Sequence, residues 1–114
     1  MANTFKLVTK AGVTSADVIY TPNAVTTILL GIMLGNTTSS QVTATVSLAS
    51  STGSRAGDNN ENNQTVELIA NAPIPAGSSL ELLAGNKVVM ENNDALSVTA
   101  TGSTDVALSI MEIS

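Results

Sequence analysis

Cysteine, histidine and tryptophan are all missing from this chain of 114 residues, and each absence closes off a kind of chemistry. Without Cys there are no disulfides and no thiol nucleophile, and the composition suits synthesis in a reducing cytoplasm. Without His no imidazole accepts a proton from Ser or Thr, so a nucleophile triad cannot be assembled. No Gly-rich phosphate loop occurs either. Aromatic side chains are reduced to Phe5 and Tyr20. Such rings normally bring about 150–250 Å² each to a core. The interior must therefore be built from Leu, Ile, Val, Ala and Met. Small domains short of core often gain stability by oligomerising, which is a first pointer to assembly.

Charge is scarce as well. Only 11% of residues are charged, and nine acids against four bases give a net charge of −5. The bases Lys6, Lys10, Arg55 and Lys87 form no cluster, whereas nucleic-acid binding needs a positive surface to neutralise phosphates. The longest apolar run, Ile28-Leu29-Leu30-Gly31-Ile32-Met33-Leu34, is too short to span a bilayer as a helix. The first residues, Met1-Ala2-Asn3-Thr4-Phe5-Lys6, lack the basic run and apolar block of a secretory leader. In that context Asn36-Thr37-Thr38 and Asn63-Gln64-Thr65 read as chance matches to the glycosylation triplet. Neither nucleic acid nor membrane is expected as a partner, and no cofactor.

What the chain does contain is alternation with period two. In Gln41-Val42-Thr43-Ala44-Thr45-Val46-Ser47-Leu48-Ala49, the apolar residues fall on one side of an extended strand and the polar ones on the other. Eight to nine such segments predict an all-β protein, an antiparallel β-sandwich of jelly-roll-like or Ig-like type with no significant helix. A single domain, 1–114, is long enough to bury about two-thirds of the surface of its unfolded form. Residues 1–15 form either an extended arm or an edge strand.

The predicted strands are 4–9 (Phe5 and Leu7 inward), 16–21 (Ala16, Val18 and Tyr20 inward) and 25–34. They continue with 41–49, 65–70 (Val66, Leu68 and Ala70 inward), 79–84 (Leu80, Leu82), 87–91 (Val88, Met90) and 95–101 (Leu96, Val98, Ala100). A last one runs from about 106 to 113, with Val106, Leu108 and Ile110 inward. There Met111 and Ile113 break the phase, as a β-bulge near Ile110 or burial on both faces would cause. Gly85-Asn86 is a two-residue hairpin signal. The stretch 72–77 holds two prolines, which cannot donate to a ladder, so it is expected to cross between sheets or follow an edge. Residues 50–64 form a long polar loop.

Candidate sites are few. Asp58-Asn59-Asn60-Glu61-Asn62-Asn63 offers oxygen ligands at alternate positions, but Asn63 and Ile69 stand where a Ca²⁺ loop of the EF-hand type needs Gly and a carboxylate. A looser site at Asp58 and Glu61 competes with the preferred reading, a solvated hairpin tip. Glu81 and Glu91 invite comparison with an acid–base pair, yet both sit at solvent-facing positions with Lys87 between them. Catalysis is not expected. More weight falls on strand 25–34, where Ile28, Leu30, Ile32 and Leu34 line one face while Leu29 and Met33 make the other apolar too. Leu29, Met33, Ile69, Leu83, Val89, Met111 and Ile113 are all out of phase with the inward set and are expected to form an interface. Contiguous exposed apolar patches usually mark interaction surfaces. Burying seven such side chains would contribute on the order of 10 kcal/mol before entropic losses, at about 1.5–3 kcal/mol each.

The last third carries a resemblance. Its residues are Ala72-Pro73-Ile74-Pro75-Ala76-Gly77-Ser78-Ser79-Leu80-Glu81-Leu82-Leu83-Ala84-Gly85-Asn86-Lys87-Val88-Val89-Met90-Glu91, then Asp94-Ala95-Leu96-Ser97-Val98 and a closing Asp105-Val106-Ala107-Leu108-Ser109-Ile110-Met111-Glu112-Ile113. This pattern resembles small β-rich virion proteins of tailed bacteriophages, and Ile28-Leu29-Leu30-Gly31-Ile32-Met33-Leu34-Gly35-Asn36 fits the same type. The resemblance implies a virion component: a capsid decoration (cement) subunit, or a neck, tail or fibre protein. Cement proteins of this size are typically homotrimers that bridge capsomers of the major capsid protein. An acidic chain suits the capsid exterior better than a place beside packaged DNA. From another class, a carbohydrate- or receptor-binding module would need surface aromatics, and Tyr20 and Phe5 are both predicted inward.

Overall fold

Where apolar and polar residues alternate, the backbone is extended. The computed structural model describes residues 3–50, 64–83 and 87–113. Nine strands lie among them: β1 (Asn3–Val13), β2 (Asp17–Tyr20), β3 (Thr26–Asn36), β4 (Val42–Ala49), β5 (Thr65–Ile74), β6 (Ser79–Leu82), β7 (Val88–Met90), β8 (Ala95–Ala100) and β9 (Thr104–Ile113). No helix occurs among the described residues. The Asp58–Glu61 segment and the Gly85-Asn86 turn lie outside them.

Two antiparallel sheets result. The five-stranded sheet has the order β1-β9-β3-β6, with β7 also paired to β3, and the four-stranded sheet has the order β2-β8-β4-β5. The pairs nest in sequence: β4 with β5, β3 with β6, β2 with β8 and β1 with β9, alternating between the sheets. This is a long hairpin rolled up on itself, the jelly-roll topology, with β7 as an added short strand. The expected all-β sandwich is present, and strand order decides for jelly roll over the Ig type.

Between the sheets lies an aliphatic core. Leu29, Ile32, Leu34, Met90, Val106, Leu108 and Ile110 face Val42, Ala44, Val46, Ile74, Leu96, Val98 and Ala100, all buried. In β4, β6, β7, β8 and β9 the inward residues are the ones the alternation predicts.

Elsewhere the phase differs, for identifiable reasons. In β3 the register against β9 shifts between Leu29 and Gly31, so Leu30 is an extra residue. A bulge of one residue flips every side chain beyond it. Leu29 and Ile32 therefore both point inward, and Leu29 is 0% exposed in the core rather than on an outer interface. The irregularity expected near Ile110 lies across from it, in β3, while β9 pairs with β1 without a break from Ile113 to Val106.

β1 has its expected faces reversed. Phe5 and Leu7 are 72% and 70% exposed, and Val8 packs on the core instead. The two lysines that flank Val8 on its face find acidic partners: Lys6 Nζ lies 2.8 Å from Glu112, and Lys10 Nζ 3.6 Å from Asp17 of the opposite sheet. In β2 a register shift between Val18 and Tyr20 leaves Val18 and Ala16 exposed and turns Ile19 to the core. In β5 two irregularities turn Ile69, Ala72 and Ile74 inward and leave Val66, Leu68 and Ala70 exposed. β5 also runs through Pro73, which an edge strand tolerates because one side of it needs no donor.

Asn36 locks the crossover that follows. It is 4% exposed, and its Nδ2 donates to the carbonyls of Ser40, Ile74 and Pro75 at 2.8, 2.8 and 3.2 Å. Its Oδ1 accepts from the backbone N–H of Thr38 at 2.8 Å. The amide of the first Asn-X-Thr triplet is thus committed inside the fold.

Candidate interaction surface

The outer face of the five-stranded sheet is set by the bulge in β3 and by the pairing of β1 with β9. Partners in adjacent antiparallel strands lie side by side with their side chains on one face. The register therefore places Phe5, Met111, Ile28 and Val89 in one row across four strands, β1, β9, β3 and β7. The next row holds Leu7, Ser109 and Gly31, and the one after it Thr9, Ala107, Met33 and Glu81. Met33 is 45% and Val89 55% exposed. Met111, Ile28 and Ile113 are partly exposed on the same face.

Met33 stands between two shallow hollows. One, of about 290 Å³, is lined by Gly31, Ser109 and Ala107 among others. The second, of about 320 Å³, is lined by Gly35, Ala107 and Thr9. Both glycines open onto free space, with no atom within 4 Å of where a Cβ would sit. Large and small residues thus alternate in relief. Of the carboxylates on this face, Glu81 and Asp105 lie away from the Phe5 row, while Glu91 borders it beside Thr26.

Of the seven residues expected at an interface, Met33, Val89, Met111 and Ile113 share this face. Leu29 is in the core, and Ile69 and Leu83 pack against it. Phe5, Leu7 and Ile28 join the face and were not foreseen there. No local signal marks them, since an inward-facing lysine pair becomes favourable only through Glu112 and Asp17, which the fold brings from elsewhere.

Behind this face, a polar cluster ties the sheets together. Tyr20 Oη donates to Glu112 Oε2 at 2.6 Å and lies 2.8 Å from Thr27 Oγ1, which is fully buried. Burial, and then the bond to Glu112, push the Tyr20 hydroxyl up to about 12. Hydrogen bonds from Lys6 first and Tyr20 second hold the Glu112 carboxyl below its ordinary value. Lys6, Tyr20, Thr27 and Glu112 thus form a clasp linking β1, β2, β3 and β9.

Glu81 and Glu91 do not form a pair. β6 and β7 follow one another along the same edge of β3, with Glu81 beside Met33 and Glu91 accepting from Thr26 Oγ1 at 2.7 Å. Thr26 and Met33 are seven residues apart in an extended strand, roughly 20 Å.

No protein-family model matches this sequence, and no curated protein matches it. Solved structures that this chain is similar to include a chain from Bacillus endospore appendages, described as disulfide-linked pili. It is 15% identical with a TM-score of 0.43, covering 96% of this chain and 85% of the other. A chain of the T13 IBDV viral particle is 8% identical with a TM-score of 0.47 over 96% of this chain, which spans 35% of that protein's length.

Proposed function

We propose that this chain is a non-enzymatic structural subunit of a virion, a capsid decoration (cement) protein. On this reading it works as a homo-oligomer on the capsid exterior, where it bridges capsomers of the major capsid protein. The observation that carries the reading is the apolar outer face of the five-stranded sheet. Monomeric proteins rarely expose contiguous apolar patches beyond a few hundred Å², and an assembly subunit has a use for one. The acidic balance suits a surface turned away from nucleic acid. The pattern shared with small virion proteins supplies the setting, since a jelly roll by itself serves capsid proteins and lectins alike.

A trimer, as the resemblance implies, needs two different surfaces meeting head to tail. The face described above is a single patch, and a contact of such a patch with itself closes with two copies. Reconstruction of purified virions that contain the protein tests the reading. Density for this jelly roll over the capsid shell is the expected result. Density confined to the portal vertex or tail would overturn the decoration role in favour of a neck, tail or fibre component.

A further inference from the structure

We infer that two copies of this chain stack through the outer face of the five-stranded sheet, about a twofold axis parallel to β3 and β9 and midway between them. The inference deepens the assembly reading above and rests on it.

The register supplies the argument. A half-turn about that axis exchanges β9 with β3 and β1 with β6 or β7, and keeps each row at its own height. Phe5 of one copy then meets Val89 of the other, and Met111 meets Ile28. One row along, Ser109 meets Gly31; in the next, Met33 meets Ala107 and Glu81 meets Thr9. In the last of these rows a large side chain faces a small one: Met33 enters the relief beside Ala107, which lines both hollows. No carboxylate faces another. The competing half-turn, about an axis across the strands, keeps each strand opposite itself and sets Val89 on Glu81 and Ile113 on Asp105. That buries carboxylates against apolar groups, which is costly.

The area is sufficient. Four strand positions by ten residues cover roughly 19 by 33 Å, on the order of 600 Å² before side-chain relief is counted. Over both copies that is about 1,200 Å², the lower end of the range for specific interfaces. Face-to-face sheets about 10 Å apart are an ordinary mode of β packing.

The chain holds no cysteine, so engineered thiols report cleanly. Within one copy Phe5 and Val89 lie three strand spacings apart, about 14 Å. A disulfide needs Cα atoms within about 7 Å, less than the roughly 10 Å between facing sheets, so a short bis-maleimide is used, one that spans that gap but not the roughly 14 Å within a chain. The double variant F5C/V89C, treated with it, is expected to give a covalent dimer on a denaturing gel. Met33→Asp is expected to weaken association in sedimentation on the order of thirtyfold, as loss of a central interface residue does, with the melting temperature in dilute solution little changed. If the parent protein associates but F5C/V89C forms no covalent dimer and Met33→Asp still associates, the stacking is wrong and the assembly reading survives. If the parent protein sediments as a monomer at every concentration reached, both fall.

Discussion

Replacing Leu29 by Ala and, separately, Met33 by Ala probes two side chains four residues apart on β3. In an unbroken strand they would lie on the same face and cost similar amounts. The bulge at Leu30 separates them: Leu29 is wholly enclosed beside Ile110, while Met33 is half open to solvent. Truncating an enclosed Leu forfeits its transfer free energy and leaves a cavity, about 3–4 kcal/mol. For 114 residues the unfolding entropy is roughly 240 cal/mol/K, so the melting temperature should fall by about 12–16 °C. Met33 gives up roughly half of the 1.5–3 kcal/mol that full burial confers, and the space it leaves is open, so about 1 kcal/mol or 4 °C is expected. Melting followed by circular dichroism measures both. Dilute protein is required, because association stabilises the folded form by mass action. Equal falls for the two variants would refute the bulge and with it the division between core and outer face.

Tyr20 is the chain's only tyrosine, so its ionisation can be followed directly by tyrosinate absorbance. The native midpoint is expected near 12, against about 10 in urea. Between those values the unfolded chain releases a proton that the fold retains, so stability should fall as pH rises through that window. A native midpoint at the ordinary value would mean that the Tyr20 hydroxyl is neither buried nor bonded to Glu112 as described. Asn36→Ala strands buried carbonyls at the end of β5 and should cost about 2–3 kcal/mol in urea denaturation; a loss under about 1 kcal/mol would show those carbonyls satisfied in another way.

The sandwich was legible because most strands are governed by nearest-neighbour alternation. Val42-Thr43-Ala44-Thr45-Val46 and Leu96-Ser97-Val98 carry their faces in their own composition. β3 was half legible. Its excess of apolar residues signals an apolar outer face beside the inward one, but the position of the bulge depends on its pairing with β9. Without it Leu29 lands on the wrong side, and the outer face is drawn around the wrong residue. β1 was illegible in phase: Phe5 and Leu7 look more apolar than Lys6, Val8 and Lys10, and only Glu112 and Asp17 reverse the preference. β5 failed as β3 did, its face being reset by two irregularities against β4.

The nesting of strand pairs fixes an order in time. β4 and β5 are neighbours in sequence and can meet early, whereas β1 waits for β9, about a hundred residues downstream. Chains dominated by such distant pairings fold slowly. The row Phe5, Met111, Ile28 and Val89 draws on both ends of this arrangement and has no existence until β9 has been synthesised and docked. A nascent chain that has not yet reached β9 therefore presents no such surface.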